Sequence, residues 1–318
     1  MRLTVGQNFI SFQVIHQEEG PMKLKKLTVS LALVGLSLPV FATNGYFATG
    51  VGIKAKAMGG AGIAYAEDGF GIGANPATLT QAQAGGSIGG SLFAPDRRVN
   101  KSGEQDGNET RTFVIPEFAY VKHGDNALSY GIAVYGNGGM NTDYGRSMYD
   151  NAGYFGASRK TTSNLEQLFI APTIAKKLND QHTIALSMNI VYQTFEAGGL
   201  GDFKGFTPGN AFDPGNHGKD TSTGIGLKLG WTGQLTKDFS MGAFYQPKTS
   251  MKKLDKYKYL FAEQGGFDIP ATYGMGVAFT ASPKTVILFD VVQIDYSKIK
   301  SLGNKNNYDG TNTFLAQV

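Results

Sequence analysis

The chain has 318 residues, 44 of them glycine, with 41% hydrophobic residues, one tryptophan and no cysteine. No run of about 20 apolar residues occurs, which excludes a membrane-spanning helix, and the absence of thiols suits an oxidising compartment. The formal charge of +4 includes Lys23, Lys25 and Lys26 of a basic leader; without them the balance is nearly neutral, and a nucleic-acid partner has no electrostatic support.

Residues 1–21 carry neither a targeting signal nor a domain pattern, and read as a mis-called extension upstream of a start at Met22. Met22-Lys23-Leu24-Lys25-Lys26 is a basic n-region, residues 27–40 form an apolar stretch too short to span, and Val40-Phe41-Ala42 supplies small residues at the cleavage-determining positions. That order predicts a signal peptide over residues 22–42 and a mature chain beginning at Thr43. An amphipathic anchor would not show it. N-terminal sequencing of the exported protein checks this, and a chain retaining residues 27–40 would rule it out.

Residues 43–81 are rich in Gly and Ala, with few large side chains and no strand alternation. Gly59, Gly60, Gly62, Gly69, Gly71 and Gly73 allow positive φ and close backbone approach. Asn75-Pro76 moves residue 75 out of the helical region and sets a turn. This is a compact irregular head. Residues 82–318 then alternate with period two, so a long β region follows the head as a barrel follows a plug.

Thr223, Ile225, Leu227, Leu229 and Trp231 share one strand face, opposite Gly224, Gly226, Lys228 and Gly230. Ile184, Leu186, Met188, Ile190 and Tyr192 oppose Ala185, Ser187, Asn189 and Gln193, with Val191 as the exception. Tyr273, Met275, Val277 and Phe279 repeat the pattern. Further strands are predicted over residues 86–99, 111–122, 127–135, 165–178, 240–251 and 285–296, about nine in all. Short breaks at 123–126, 179–181, 236–238 and 282–284 alternate with long ones at 100–110, 137–164, 199–220, 252–266 and 298–312. Short turns on one rim and long loops on the other are the signature of an outer-membrane barrel. Tyr192, Trp231, Tyr245 and Tyr296 near strand ends read as an interfacial belt, with plain core packing as the alternative.

No catalytic chemistry is legible. His16, His123, His182 and His217 are scattered without metal-ligand spacing, and there is no Gly-x-Ser-x-Gly elbow and no P-loop. Gly50-Val51-Gly52 lacks a third glycine at position 55, and Asp202, Asp213 and Asp220 do not match a calcium loop. Neither an enzyme, nor a cofactor, nor a metal site is expected. The long loops are rich in apolar side chains, including Phe203, Phe206, Phe212, Tyr257, Leu260 and Phe261. They read either as a capture surface for apolar ligands or as loops packing on one another. Lys252, Lys253, Lys256 and Lys258 interleave with them, to meet a carboxylate head group, lipopolysaccharide or solvent.

Asn44-Gly45-Tyr46, residues 50–54, Met58-Gly59-Gly60-Ala61, Asp68 and Asn75-Pro76-Ala77 follow the signal peptide directly. In order and spacing they resemble the N-terminal hatch of the FadL/TodX-type (OMPP1) outer-membrane transporters of long-chain fatty acids and hydrocarbons. The resemblance continues more weakly through residues 230–245 and from Ile269-Pro270-Ala271 to Tyr296-Ser297. It implies an all-β antiparallel transmembrane barrel with a hatch of short helices and turns, made of about fourteen strands. About nine strands are visible and residues 313–318 resemble the start of a tenth, so the chain reads as lacking C-terminal strands. The implied function is passive diffusion of fatty acids or aromatic or aliphatic hydrocarbons, with lateral exit into the membrane. Gly59, Gly60, Asn75, Pro76 and Ala77 would form the hatch gate. Gly136, Asn137, Gly138 and Gly139, at the end of the third strand, would form either the family's wall opening or an ordinary turn. Expected partners are the hydrophobic ligand, outer-membrane lipid and lipopolysaccharide, and the barrel assembly machinery during biogenesis, for a monomer. The rival readings are a structural or adhesive barrel without transport, and a general porin.

Overall fold

Period-two alternation with glycine on one face builds a wall. The computed structural model describes residues 44–94, 96–101, 104–110, 112–150, 159–207, 209 and 212–303. The wall is one antiparallel sheet of nine strands. In spatial order they are β1 (Gly85–Phe93), β4 (Phe113–His123), β5 (Leu128–Asp143), β6 (Thr162–Lys177), β7 (His182–Gly198), β8 (Asp220–Thr236), β9 (Phe239–Gln246), β10 (Thr272–Ser282) and β11 (Thr285–Ile294). The edges of this curled sheet are β1 and β11. A separate hairpin of β2 (Arg98–Lys101) and β3 (Glu104–Gly107) stands in the connection between β1 and β4.

β7 and β8 run up to five residues beyond the predicted 183–193 and 223–231, and three further boundaries differ from expectation. The strand predicted over residues 86–99 ends at Phe93, and Val99 belongs to the β2–β3 hairpin; Pro95, which has no backbone donor, stands between them in sequence. The strand predicted to reach residue 251 ends at Gln246, directly before Pro247. The third wall strand, predicted to stop at residue 135, continues to Asp143 because its ladder with β6 runs on to Asp143 opposite Thr162.

The wall is inverted relative to a soluble protein. On β7, Ile184, Leu186, Met188, Ile190 and Tyr192 are exposed, whereas Ala185, Ser187, Asn189, Val191 and Gln193 are buried. On β8, Ile225, Leu227 and Leu229 face outward, with Ser222, Lys228 and Thr232 buried inside. Apolar side chains out and small or polar ones in is the arrangement a lipid-facing barrel wall requires. Tyr245 and Tyr273 stand exposed on the outer face, ring centroids 6.4 Å apart. Tyr296 is not part of that belt: it packs on Tyr46 and Phe47, and its hydroxyl donates to the Asn44 carbonyl.

The head sits against the inner face. It comprises α1 (Ile53–Ala57) and two 3-10 turns, Gly69–Gly73 and Pro76–Thr80. Asp68 caps the first turn by accepting the Phe70 N–H at 3.1 Å, and Pro76 is pre-set for the first position of the second. Phe70, Ile72, Ala77 and Leu79 are buried against Ala119, Val121, Ala133, Tyr135 and Phe169 of the wall. Burial of Phe70, Ile72 and Leu79 stabilises this seat by roughly 1.5–3 kcal/mol each. A second apolar cluster joins Leu165 and Phe195 of the wall to Leu254, Tyr257, Phe261 and Phe267 of the connection after β9, and to Tyr46 of the head.

Candidate functional site

Asn75 is fully buried and ties the head to the wall. Its Nδ2 donates to the Ile63 carbonyl at 2.7 Å and to the Trp231 carbonyl on β8 at 2.9 Å. Its Oδ1 accepts the Ala77 N–H at 3.0 Å, so every polar atom of the amide is engaged with backbone. Lys228, three residues before Trp231 on β8, donates to the Gly73 carbonyl at 2.6 Å and lies 4.3 Å from the centre of the Phe244 ring. Gly59 and Gly60 form the turn that follows α1, with φ of 69° and 88°. The Gly60 N–H closes that turn onto the Ala55 carbonyl at 2.8 Å. All five head residues singled out in the sequence are therefore in the head, but in two places: Asn75-Pro76-Ala77 on its buried side and Gly59-Gly60 beside α1.

The wall has a seam. β1 pairs with β4 along the whole of β1, from Phe93 opposite Phe113 to Gly85 opposite Val121. With β5, β4 pairs only from Phe118 opposite Val134 to His123 opposite Ser129. Above that point β6 is the wall strand that still pairs with β5, and a bulge between Gly136 and Gly138 skips Asn137. Gly136, Asn137, Gly138 and Gly139 thus lie within the strand, not at its end. Their free edge is occupied by the head: the Ala48 N–H donates to the Asn137 carbonyl and the Gly139 N–H to the Tyr46 carbonyl, each at 2.8 Å, and Phe47 bridges Gly138. A Cβ on Gly138 would stand 2.9 Å from the Phe47 Cα, so glycine is required for this approach. The Asn137 amide donates to Gln167 at 3.1 Å, and Gln167 to Gln193 at 2.7 Å. The rings of Tyr46, Phe47, Phe267 and Tyr296 crowd the same region.

The loop residues separate. Tyr257, Leu260 and Phe261 are buried in the second cluster. The Tyr257 hydroxyl donates to the Gly218 carbonyl and accepts the Ala197 N–H, both at 2.9 Å, and burial pushes its phenol up. Phe212 is exposed beside Tyr259, centroids 4.7 Å apart. Phe203 is half-buried beside Tyr149, and the side chain of Phe206 lies outside the described residues. Lys252, Lys253, Lys256 and Lys258 are all exposed. Among the described residues no group of three or more His, Asp or Glu side chains comes together as a metal site.

Sequence reading missed Glu117 and Asp290. Both stand on the inner face and both accept hydrogen bonds from the head. The available signal was a lone carboxylate on an otherwise apolar strand face, among Phe113, Ile115, Ala119 and Val121 for Glu117 and among Val286, Leu288, Val292 and Ile294 for Asp290, where a charge needs a partner.

Residues 40–316 match the model of one protein family, the outer membrane protein transport protein family (OMPP1/FadL/TodX). A search of curated protein sequences found no match. Among solved structures the chain is similar to the toluene transporter TbuX of Ralstonia pickettii, at 20% identity and a TM-score of 0.59, over 78% of this chain and 72% of that one. It is similar to the toluene transporter TodX of P. putida at 19% identity and a TM-score of 0.59, over 79% and 72% of the two chains. A FadL homologue of Pseudomonas aeruginosa matches at 13% identity and a TM-score of 0.55, over 80% and 70%. At these identities the likeness is one of fold. The family match over most of the chain, with the inverted wall and the seated head, identifies this protein as a member of the OMPP1/FadL/TodX family of outer-membrane transport proteins.

Proposed function

We propose that this protein carries small hydrophobic molecules passively across the outer membrane, with the head as gate and the seam between β4 and β5 as a lateral exit. The carrying observation is the seam. A wall strand that leaves its neighbour after six pairs, and whose free edge from Asn137 to Gly139 is closed by a short piece of the head, supports an opening that the head controls. Backbone pairing across a lipid-facing wall is otherwise obligatory, because an unpaired edge has no water to satisfy it. Ligand gathers at the apolar loops, passes to the inner face above the head, and leaves sideways through the seam when Tyr46 to Ala48 lift from β5. Monoaromatic hydrocarbons are the first ligand class, on the analogy of the toluene transporters of the same fold, and long-chain fatty acids the second. The buried seat of the head argues against a general porin, and the broken ladder against a purely structural barrel.

Proteoliposomes separate these readings. Uptake of radiolabelled toluene or a labelled fatty acid, without swelling in sugars, is the expected result. Sugar-driven swelling would make the protein a porin, and neither response would leave a structural barrel. Within the transport reading, Asn75-Pro76-Ala77 acts as a latch. Asn75→Ala combined with Pro76→Gly should change hydrophobic uptake or small-solute leak several-fold at unchanged folded-band intensity on heat-modifiability gels. Unchanged transport in a well-inserted double variant would reduce the turn to a connector.

A further inference from the structure

The head is held in two different ways. Between Gly69 and Ala82 it is held by burial, with Phe70, Ile72, Ala77 and Leu79 at most 4% exposed. Between Ile53 and Ala61 no residue is buried, and Ile53 is 60% exposed. Yet both ends of that loop are fixed, each by a carboxylate reaching in from the wall. Glu117 on β4 accepts the Gly52 N–H at 3.3 Å and the Lys56 ammonium at 2.5 Å, both on Oε1. Asp290 on β11 accepts the N–H groups of Gly62 at 2.7 Å and Ile63 at 3.0 Å, both on Oδ2. Lys56 adds a bond to the Ser91 hydroxyl on β1 at 2.7 Å.

These carboxylates are costly where they stand. Glu117 is 3% exposed, and its second oxygen has no hydrogen-bond partner among the described residues. Asp290 makes no ion pair among the described residues, so its charge is met by backbone dipoles. A charge drawn out of water is kept where its hydrogen bonds offset its desolvation, and for buried Glu117 and half-buried Asp290 alike those bonds go to the same short piece of chain. Glu117 also stands one residue before Phe118, where the ladder between β4 and β5 begins.

We infer that Glu117 and Asp290 are positioning residues that clamp the two ends of residues 53–61, and that release of this stretch, with Ile63 and residues 69–82 staying seated, is a second head movement, beside the lifting of Tyr46 to Ala48, that opens the lumen. The inference rests on the reading of the chain as a gated transporter. Between those ends residues 53–61 can leave without exposing an apolar core, because none of their side chains is buried and the clamping groups can exchange their partners for water, whereas Ile63, 1% exposed and bonded through its carbonyl to Asn75, stays seated. The segment 69–82 cannot leave so. Gly59 and Gly60, at φ of 69° and 88°, lie inside the clamped loop and give it backbone freedom once its ends are free.

Hydrogen exchange of the full-length protein in proteoliposomes tests the clamp without a substrate. In Glu117→Ala/Asp290→Ala, exchange over residues 53–61 should rise about tenfold or more while residues 69–82 stay within about twofold of wild type. Small-solute leak should rise with it. Asp290→Asn keeps an acceptor oxygen for Gly62 and Ile63 and should restore near-wild-type exchange at that end. Lys56→Met leaves the wall untouched and should loosen residues 52–57 alone. Unchanged exchange over residues 53–61 overturns the clamp, as does an equal rise over residues 69–82, which would mean that the head moves as one piece. If the double variant does not insert, Lys56→Met carries the decision by the same criterion. Wild-type protein that takes up no hydrophobic ligand would defeat the transport reading and leave the exchange result standing.

Discussion

At Gly230 a Cβ would lie 2.8 Å from the Pro76 ring and 2.9 Å from the Ala77 nitrogen. At Gly131 it would lie 2.6 Å from a Leu79 methyl group. The head reaches the wall only because these positions lack side chains. Gly230→Val should therefore unseat the Asn75-Pro76-Ala77 turn, at an overpacking cost of about 1–3 kcal/mol. The readout is a lower unfolding midpoint in heat-modifiability gels together with raised solute leak. Gly90→Ala is the control, since its nearest neighbour would be the Ile115 carbonyl at 3.7 Å, and it should behave as wild type. Alternation made the inner-face glycines readable in the sequence. Which head residue each one meets was not, because Gly230 and Pro76 are brought together only by the curvature of the whole sheet. Glu117 and Asp290 escaped notice for the same reason: Lys56 lies 61 residues from Glu117, and their other partners are backbone N–H groups, which leave no mark in a sequence.

Elements were legible in proportion to their repeat length. The long strands β6, β7 and β8 carry many alternations each and were placed within a few residues. The hairpin of β2 and β3 has four residues per strand and polar composition, too little for a period to emerge. The run Gly136 to Gly139 reads locally as a strand end, and the ladder with β6 overrides that local preference. The same run gives an element-level test. Gly138→Val sets a side chain against Tyr46 and Phe47 while leaving the β5–β6 pairing intact. It should free the segment from Tyr46 to Ala48 and raise exchange of the Ala48 and Gly139 amides by about tenfold, with hydrophobic uptake altered. Retained protection of both amides would mean that the segment does not depend on close approach to the bulge.

Across the whole molecule, four short turns lie on one rim and the long connections on the other, and a continuous apolar face runs between them. Replacing an outward residue in that band should be costly in a way that depends on depth. Leu227→Arg is expected to destabilise the inserted state by about 2–4 kcal/mol, measured as the shift in urea-induced unfolding from liposomes, whereas Leu235→Arg near the short-turn rim should cost about 0–1 kcal/mol. Equal costs at the two sites would place the band elsewhere. The seam has a mechanical consequence. β1 and β4 form a two-strand leaf joined to the other wall strands, on the β5 side, by six residue pairs near the short-turn rim. From Phe118 to Phe113 this leaf extends about 17 Å at the strand rise per residue. Rocking it by ~10° about those six pairs would carry its far end by ~3 Å on that lever arm, close to the thickness of an aromatic ring. The leaf is a door hung at one corner, so a twist too small to break any of its remaining pairs can set the width of the gap at the other.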